Sequence, residues 1–168
     1  LKKITVSSKL LLNLINEVLD MSKVESGHIL LTDEEFDMGE LLQSVITMVQ
    51  TSVSQKFQDF RVHLFQVKHE KLIGDVQRIQ QVLLNLLSNA IKYTPDYGKI
   101  TLEIREKPIK NGNYGLFEVT VIDNGIGIKP NFLHKVFEPF ERAEDAIQRN
   151  IQGTGLGTVS YTHLRAHE

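Results

Sequence analysis

The sequence has no cysteine in its 168 residues. Disulfides and thiolate metal sites are therefore excluded. It has no apolar run near the roughly 18 residues that a membrane-spanning helix needs, and no signal-peptide pattern opens it. It lacks a large charge of either sign, at a formal net −2, which argues against a general nucleic-acid or polyanion binder. Internal repeats and low-complexity segments are also missing. What remains is an apolar content of 41%, which fits a soluble globular core, and a length that suits one ordinary domain or one domain plus an appended element. The first residue is Leu1, in mid-pattern, so the chain reads as a piece of something larger.

Residues 1–25 carry an amphipathic helical pattern. Ile4, Leu11 and Val18 recur every seven residues, as do Leu14 and Met21, and Leu10, Ile15 and Leu19 widen the stripe. One such helix needs a bundle or a partner to bury that face. Ser26-Gly27 ends it. Residues 28–36 read as extended. Asp37 is placed to cap a helix with Leu41, Leu42, Val45, Met48 and Val49 at helical spacing. "FRVHLFQV" (60–67) alternates as a strand, and a short strand follows His69-Glu70. Asp75 is placed to cap "VQRIQQVLLNLLSNAIKYT", whose expected core face is Ile79, Val82, Leu83, Leu86 and Ala90. Beyond Pro95 and Gly98, "KITLEIREK" and "YGLFEVTVI" read as paired strands joined through the Asn-Gly chemistry of "KNGN".

Two features ask for an explanation beyond packing. Asn85, Asn89 and Lys92 share one side of the most apolar helix, at spacings of four and three. Asn is a poor interior helix residue, so an aligned pair in register with Lys is costly without a role. Glycine is also concentrated in two short runs, "DNGIGI" (123–128) and "GTGLG" (153–157). Neither run fits a P-loop, because Gly157 is followed by Thr158-Val159 and not by Lys-Ser/Thr. Neither has the spacing of a dinucleotide fingerprint, and the protein-kinase loops are absent.

The ordered set N-x-x-x-N-A-x-K-Y-T, D-N-G-x-G-I, F-x-P-F and G-T-G-L-G closely resembles the GHKL ATP-binding family, specifically the catalytic domain of sensor histidine kinases. The resemblance covers roughly residues 4–157, and the four boxes together are highly specific. It implies an α+β fold, a two-layer α/β sandwich with helices on one face of a mixed sheet and an N-terminal helical stalk. It also implies a division of the chain. Residues 1–26, with "NEVLDMSKVESG", resemble the second helix of the dimerisation and phosphoacceptor hairpin. Residues 27–36 become a linker and first strand, and 37–157 the ATP-binding catalytic domain. The implied ligands are ATP and Mg²⁺. Asn89 matches the Mg²⁺ ligand, and an amide oxygen suits that hard ion alongside phosphate oxygens and water. Asn85 shares the site, and Lys92 and Tyr93 lie toward the phosphates. Asp123 matches the carboxylate that accepts the adenine amino group, with Gly125, Gly127 and Ile128 in the same box. Gly153, Thr154, Gly155, Leu156 and Gly157 match the lid end, where bare amides approach phosphates. Phe137 and Phe140 match the aromatic box beside the lid.

Two departures accompany the match. None of the six histidines (His28, His63, His69, His134, His163, His167) has the acceptor context of an acid followed by proline. His69, which precedes Glu70, reads as a surface residue, so no catalytic acceptor is expected within the chain. After Gly157, "TVSYTHLRAHE" (158–168) lacks the family's apolar repeat. It reads as a non-native tail standing where a final helix and strands belong. Asn85 stands where hydrolysing relatives carry a Glu base, which favours transfer of the γ-phosphate to an external histidine. A hydrolysing GHKL ATPase and a silent nucleotide-binding or dimerisation module remain the alternatives. The expected partners are ATP, a second copy through the stalk and a response-regulator receiver domain. No nucleic acid is expected, any membrane contact comes through other segments, and the location is cytoplasmic.

Overall fold

The computed structural model describes residues 31–108 and 115–135. The stalk helix (1–25), the "KNGN" turn, Phe137, Phe140, the 153–157 run and the tail lie outside the described residues. The chain divides into two compact units, one formed by Leu31–Gly127 and the other by Leu1–Leu30 with Ile128–Glu168. Of the second, only 128–135 are described; Pro130–Lys135 form a single 3-10 helix.

The first unit opens with β1 (Glu34–Asp37) and α1 (Met38–Gln55). Asp37 caps α1 as its sequence position predicts, its Oδ1 accepting from Gly39 N at 2.8 Å and Glu40 N at 3.1 Å. β2 (Asp59–Phe65) and β3 (Lys71–Gly74) follow, then α2 (Val76–Tyr93), β4 (Lys99–Lys107) and β5 (Leu116–Asp123). β2 stops at Phe65, short of the expected Val67, because Gln66 turns into a positive φ of 55°. Asp75 caps α2 through Oδ1, accepting from Arg78 N at 3.0 Å, while its Oδ2 accepts from Thr32 N at 3.2 Å.

β4 is the centre of a mixed sheet, parallel to β2 and antiparallel to β5. Its alternation is the reason for that place. Ile100, Leu102 and Ile104 are fully buried on one face, while Thr101, Glu103 and Arg105 are half-buried on the other. Register carries the buried face outward to Phe60 and Val62 on β2 and to Val119 and Val121 on β5. The two helices lie on that face, with Val45, Leu83 and Leu87 at their contact with the core. The opposite face is polar: Arg61 pairs with Asp59 at 2.7 Å, Lys107 pairs with Glu118, and the Arg105 guanidinium lies 4.4 Å from the Phe65 ring centre. β1 and β3 make a separate antiparallel ribbon whose Phe36 and Leu72 pack against the same core. This mixed sheet with helices on one face is the architecture expected from the sequence.

One core assignment needs correction, and one apolar residue at helical spacing is exposed. On α2 the buried stripe is Leu83, Leu87, Ala90 and Ile91, not one through Val82 and Leu86. Val82 and Leu86 are half-buried and stand outside the core cluster. Leucines at 83, 84, 86 and 87 make the apolar arc so wide that spacing alone does not phase it. On α1, Met48 is 56% exposed. At its level α1 meets a polar residue of α2, Gln80, whose Nε2 donates to Ser44 Oγ at 2.9 Å and lies 3.8 Å from the Met48 sulfur.

Glu106 continues the buried side of β4. It accepts from Lys68 N at 2.6 Å and from His69 N at 3.1 Å, and its Oε1 lies 2.5 Å from His69 Nδ1. Those donors, the Lys68 amide first, hold its carboxyl down at about 2 against burial, which acts the other way. His69 is surface-exposed, as read from the sequence, but it is tied to this carboxylate.

Candidate functional site

An α-helix leaves its last four carbonyls without intrahelical partners. In α2 each of the four is accounted for. Ala90 O accepts from Thr94 N at 3.0 Å. Ile91 O accepts from Lys56 Nζ at 2.8 Å and Gln58 Nε2 at 3.0 Å. Lys92 O accepts from Lys56 Nζ at 3.3 Å. Tyr93 O accepts from Ile126 N at 3.2 Å, in the loop beyond β5. Just past the helix, Thr94 O takes Lys56 Nζ at 2.5 Å and Gln58 Nε2 at 2.9 Å. A lysine near a helix C-terminus also meets the negative end of the helix dipole.

The C-terminal half of α2 carries four of the residues singled out in the sequence. Asn85 and Asn89 are half-buried, one turn apart, and neither side-chain amide makes a hydrogen bond with another described residue. Lys92 lies in the last turn, its Nζ 4.5 Å from the centre of the Tyr93 ring. Tyr93 ends the helix.

The loop beyond β5 is built against this end. Asp123 pairs with Ile100, so the alternation that sends Val119 and Val121 toward the helices sends Asp123 the same way, one step past the core. It is exposed, and its Oδ1 accepts from Gly125 N at 2.8 Å. Asn124 prolongs the ladder with its side chain: its Oδ1 accepts from Lys99 N at 2.7 Å, and its own N–H donates to Lys99 O at 3.2 Å. Gly125 passes so near α2 that a Cβ there would stand 2.5 Å from Tyr93 O. Gly127 has φ +68°, a conformation that favours glycine. The two glycines therefore serve different ends, close approach and backbone turning.

The structure thus brings Lys92, Tyr93, Asp123, Gly125 and Gly127 together, with Asn85 and Asn89 on the preceding turns of the same helix. Ile128 belongs to the other unit and is half exposed. Gly153, Thr154, Gly155, Leu156 and Gly157 lie outside the described residues. Sequence reading missed Lys56, Gln58 and Asn124. The first two act on carbonyls 33 to 38 residues away, and no local pattern announces that. Asn124 was visible in "DNGIGI", but its ladder role needs Lys99 alongside. Among the described residues no group of three or more His, Cys, Asp or Glu could hold a metal ion. The oxygens on offer are neutral amides, which suit Mg²⁺ only when anionic oxygens come with the ligand.

The profile of the family described as histidine kinase-, DNA gyrase B- and HSP90-like ATPases matches residues 74–167, more than half of the chain. The chain belongs to this ATPase family. Within it, the similarity is to histidine kinases. The signal transduction histidine-protein kinase BarA of Escherichia coli is 35% identical over 159 residues, 95% of this chain and 17% of that protein. The catalytic domain of histidine kinase ThkA superposes with a TM-score of 0.61 at 29% identity, covering 77% of each chain. ThkA in complex with the response regulator protein TrrA gives 0.61 at 26%, over 84% of this chain and 40% of that one. Full-length ShkA in complex with AMPPNP gives 0.73 at 26%, over 95% of this chain and 31% of that one. The chain spans between 8% and 22% of the length of the curated relatives it matches. In fold and family it is therefore an ATPase module similar to those of histidine kinases.

Proposed function

We propose that this chain is the ATP-binding catalytic core of a sensor histidine kinase, positioning Mg-ATP for transfer of the γ-phosphoryl group to a histidine outside residues 1–168. The observation that carries this is the docking of the Asp123–Gly127 loop onto the Tyr93 end of α2. It sets a carboxylate acceptor beside a helix side bearing two amides and a lysine.

Asp123 has one oxygen engaged by Gly125 N, which fixes the carboxylate and leaves the other oxygen to accept from the adenine amino group. Gly125 lets the loop lie against Tyr93 O, and Gly127 lets it turn there. Asn89, with Asn85 one turn earlier, would hold Mg²⁺ through amide oxygen, and Lys92 would place a positive charge near the phosphates. The metal's contribution, when bound, is to neutralise phosphate charge. Transfer of this kind depends mainly on positioning and charge neutralisation. Asn85 is a poor base for activating water, which favours transfer over hydrolysis. Gly153–Gly157 belong to the lid side in this reading, Ile128 to the Asp123 box, and residues 1–26 to a stalk through which two copies pair. A response-regulator receiver domain is the downstream partner, and the setting is cytoplasmic. No described helix is long and apolar enough to cross a membrane.

Nucleotide titrations test this. ATP binds in preference to GTP, and Asp123→Asn weakens ATP by about tenfold, the amide being a poorer acceptor with a competing donor. Asn89→Ala removes the Mg²⁺-dependent part of the affinity and leaves the adenine part. Equal binding of ATP and GTP by the parent chain, or full Mg²⁺ dependence in Asn89→Ala, overturns the assignment.

A further inference from the structure

Lys56 lies outside every motif in the sequence, yet its ammonium has its three donors aimed at three carbonyls: Ile91 O at 2.8 Å, Lys92 O at 3.3 Å and Thr94 O at 2.5 Å. Those carbonyls bracket Lys92 and Tyr93. The remaining carbonyl between them, Tyr93 O, is the acceptor that holds Ile126 N and lies against Gly125. The α2 terminus therefore sits between two clamps, Lys56 on one side and the Asp123–Gly127 loop on the other. Lys56 is placed by its own backbone. Phe57, with φ 52°, closes α1 and turns the chain, so that Lys56 and Gln58 reach the same α2 terminus. Tyr97 N donates back to Lys56 O at 2.9 Å, which fixes the base of the side chain as well as its tip.

We infer that Lys56 is a positioning residue for the nucleotide site: its ammonium sets the last turn of α2, and through Tyr93 O it sets the loop that carries Asp123. The inference rests on the nucleotide-site reading above and deepens it. The charge matters beyond the hydrogen bonds. An ammonium at a helix C-terminus opposes the partial negative charge of clustered carbonyls. A neutral side chain there would leave these carbonyls repelling one another and the terminal turn free to fray. Gln58 Nε2 shares Ile91 O and Thr94 O, so the turn keeps partial support when Lys56 is replaced. The loss then falls on Lys92 O, for which no donor other than Lys56 is found among the described residues.

The test compares the 168-residue chain with K56M, K56Q and K56R. One measurement is ATP affinity by titration calorimetry, well below the melting temperature of each variant. The other is hydrogen exchange of the Ile126 amide without nucleotide. K56M weakens ATP by about fivefold to tenfold and speeds Ile126 exchange by a similar factor. K56R, which keeps the charge and several donors, recovers most of both losses, and K56Q falls between K56R and K56M. A residue that merely supports the fold would lower the melting temperature of K56M and leave affinity and Ile126 exchange unchanged; that result overturns the inference. So does K56R that is no better than K56M. If K56M does not fold, K56Q decides, and wild-type affinity and exchange in K56Q overturn it. If the parent chain fails to bind ATP, the reading of the site falls, while the Ile126 exchange series still decides whether Lys56 sets the loop.

Discussion

Helix α1 closes with bonds from the residues that follow it: Phe57 N donates to Ser54 O and Gln58 N to Val53 O, both at 3.1 Å. Helix α2 closes with donors from Lys56 and Gln58, more than 30 residues upstream, and from Ile126, more than 30 residues downstream. The first arrangement is a self-contained stop with crossed bonds and a left-handed residue. Its capping bonds stay within the end of the helix. The second ties two separate stretches of chain to one turn, and that turn carries Lys92 and Tyr93. A helix end capped from a distance is tied by its capping bonds to other parts of the chain, whereas a local cap ties only the residues beside it.

Gly125→Ala breaks the distant arrangement most severely. Its Cβ would meet the backbone oxygen of Tyr93 at 2.5 Å, where no flexible side chain can give way. We expect a stability loss of about 1–3 kcal/mol in chemical denaturation, the usual cost of overpacking, and a larger proportional loss of ATP binding. Wild-type ATP affinity in this variant would mean that the loop need not touch α2.

Glu106 shows whether distance alone is enough. It too caps remote backbone, the amides of Lys68 and His69, but holds no residue of the site. Its carboxyl stands at about 2 when folded against an ordinary 4.5. A depressed carboxylate contributes stability that is present above its unfolded pKa and lost as pH falls toward the folded one. Melting temperature should therefore fall between about pH 4.5 and 2, and Glu106→Gln should flatten that part of the profile. ATP affinity of the folded variant at neutral pH should not change, and a clear loss would show that the loop at 66–70 communicates with the site.

Local caps supply the smaller effects. Asp37→Ala removes the acceptor for Gly39 N and Glu40 N, and about 1 kcal/mol of stability with it. Calorimetry should find the ATP affinity of the folded chain intact. Phe57→Gly should come out within about 0.5 kcal/mol of wild type, because relief of the left-handed conformation offsets the loss of ring stacking. The ring it removes is stacked on Tyr97 at 5.3 Å between centres. A large loss in Phe57→Gly would give the exposed stack a weight that its geometry does not suggest.

The same contrast explains what could be read from the sequence. Asp37 and Asp75 announce their helices because a capping carboxylate acts within three residues. The β4 alternation predicts a strand paired with β5, and the Asn85, Asn89 and Lys92 row predicts a shared helix side, since both are short-period patterns. The α2 core was mis-phased because four leucines within five residues satisfy more than one stripe. The α1 stop went unread because Phe57 occupies the position where glycine usually signals it. Lys56 was invisible for a different reason: it looks like any surface lysine until Ile91, Lys92 and Thr94 arrive beside it.

The parallel pairing of β2 with β4 has a consequence for how the molecule reaches its shape. Parallel neighbours cannot be joined by a tight turn, and here the crossover between Phe65 and Lys99 contains β3 and all of α2. The ladder from Asp59–Lys99 to Phe65–Arg105 can zip only once that crossover has folded back across the sheet. Closing such a long excursion costs chain entropy before any rung forms, which makes it a slow step. The excursion is also the helix that bears Asn85, Asn89 and Lys92. Completing the sheet and erecting the binding side are thus one kinetic event, and a chain with its central ladder formed already carries that helix across its face.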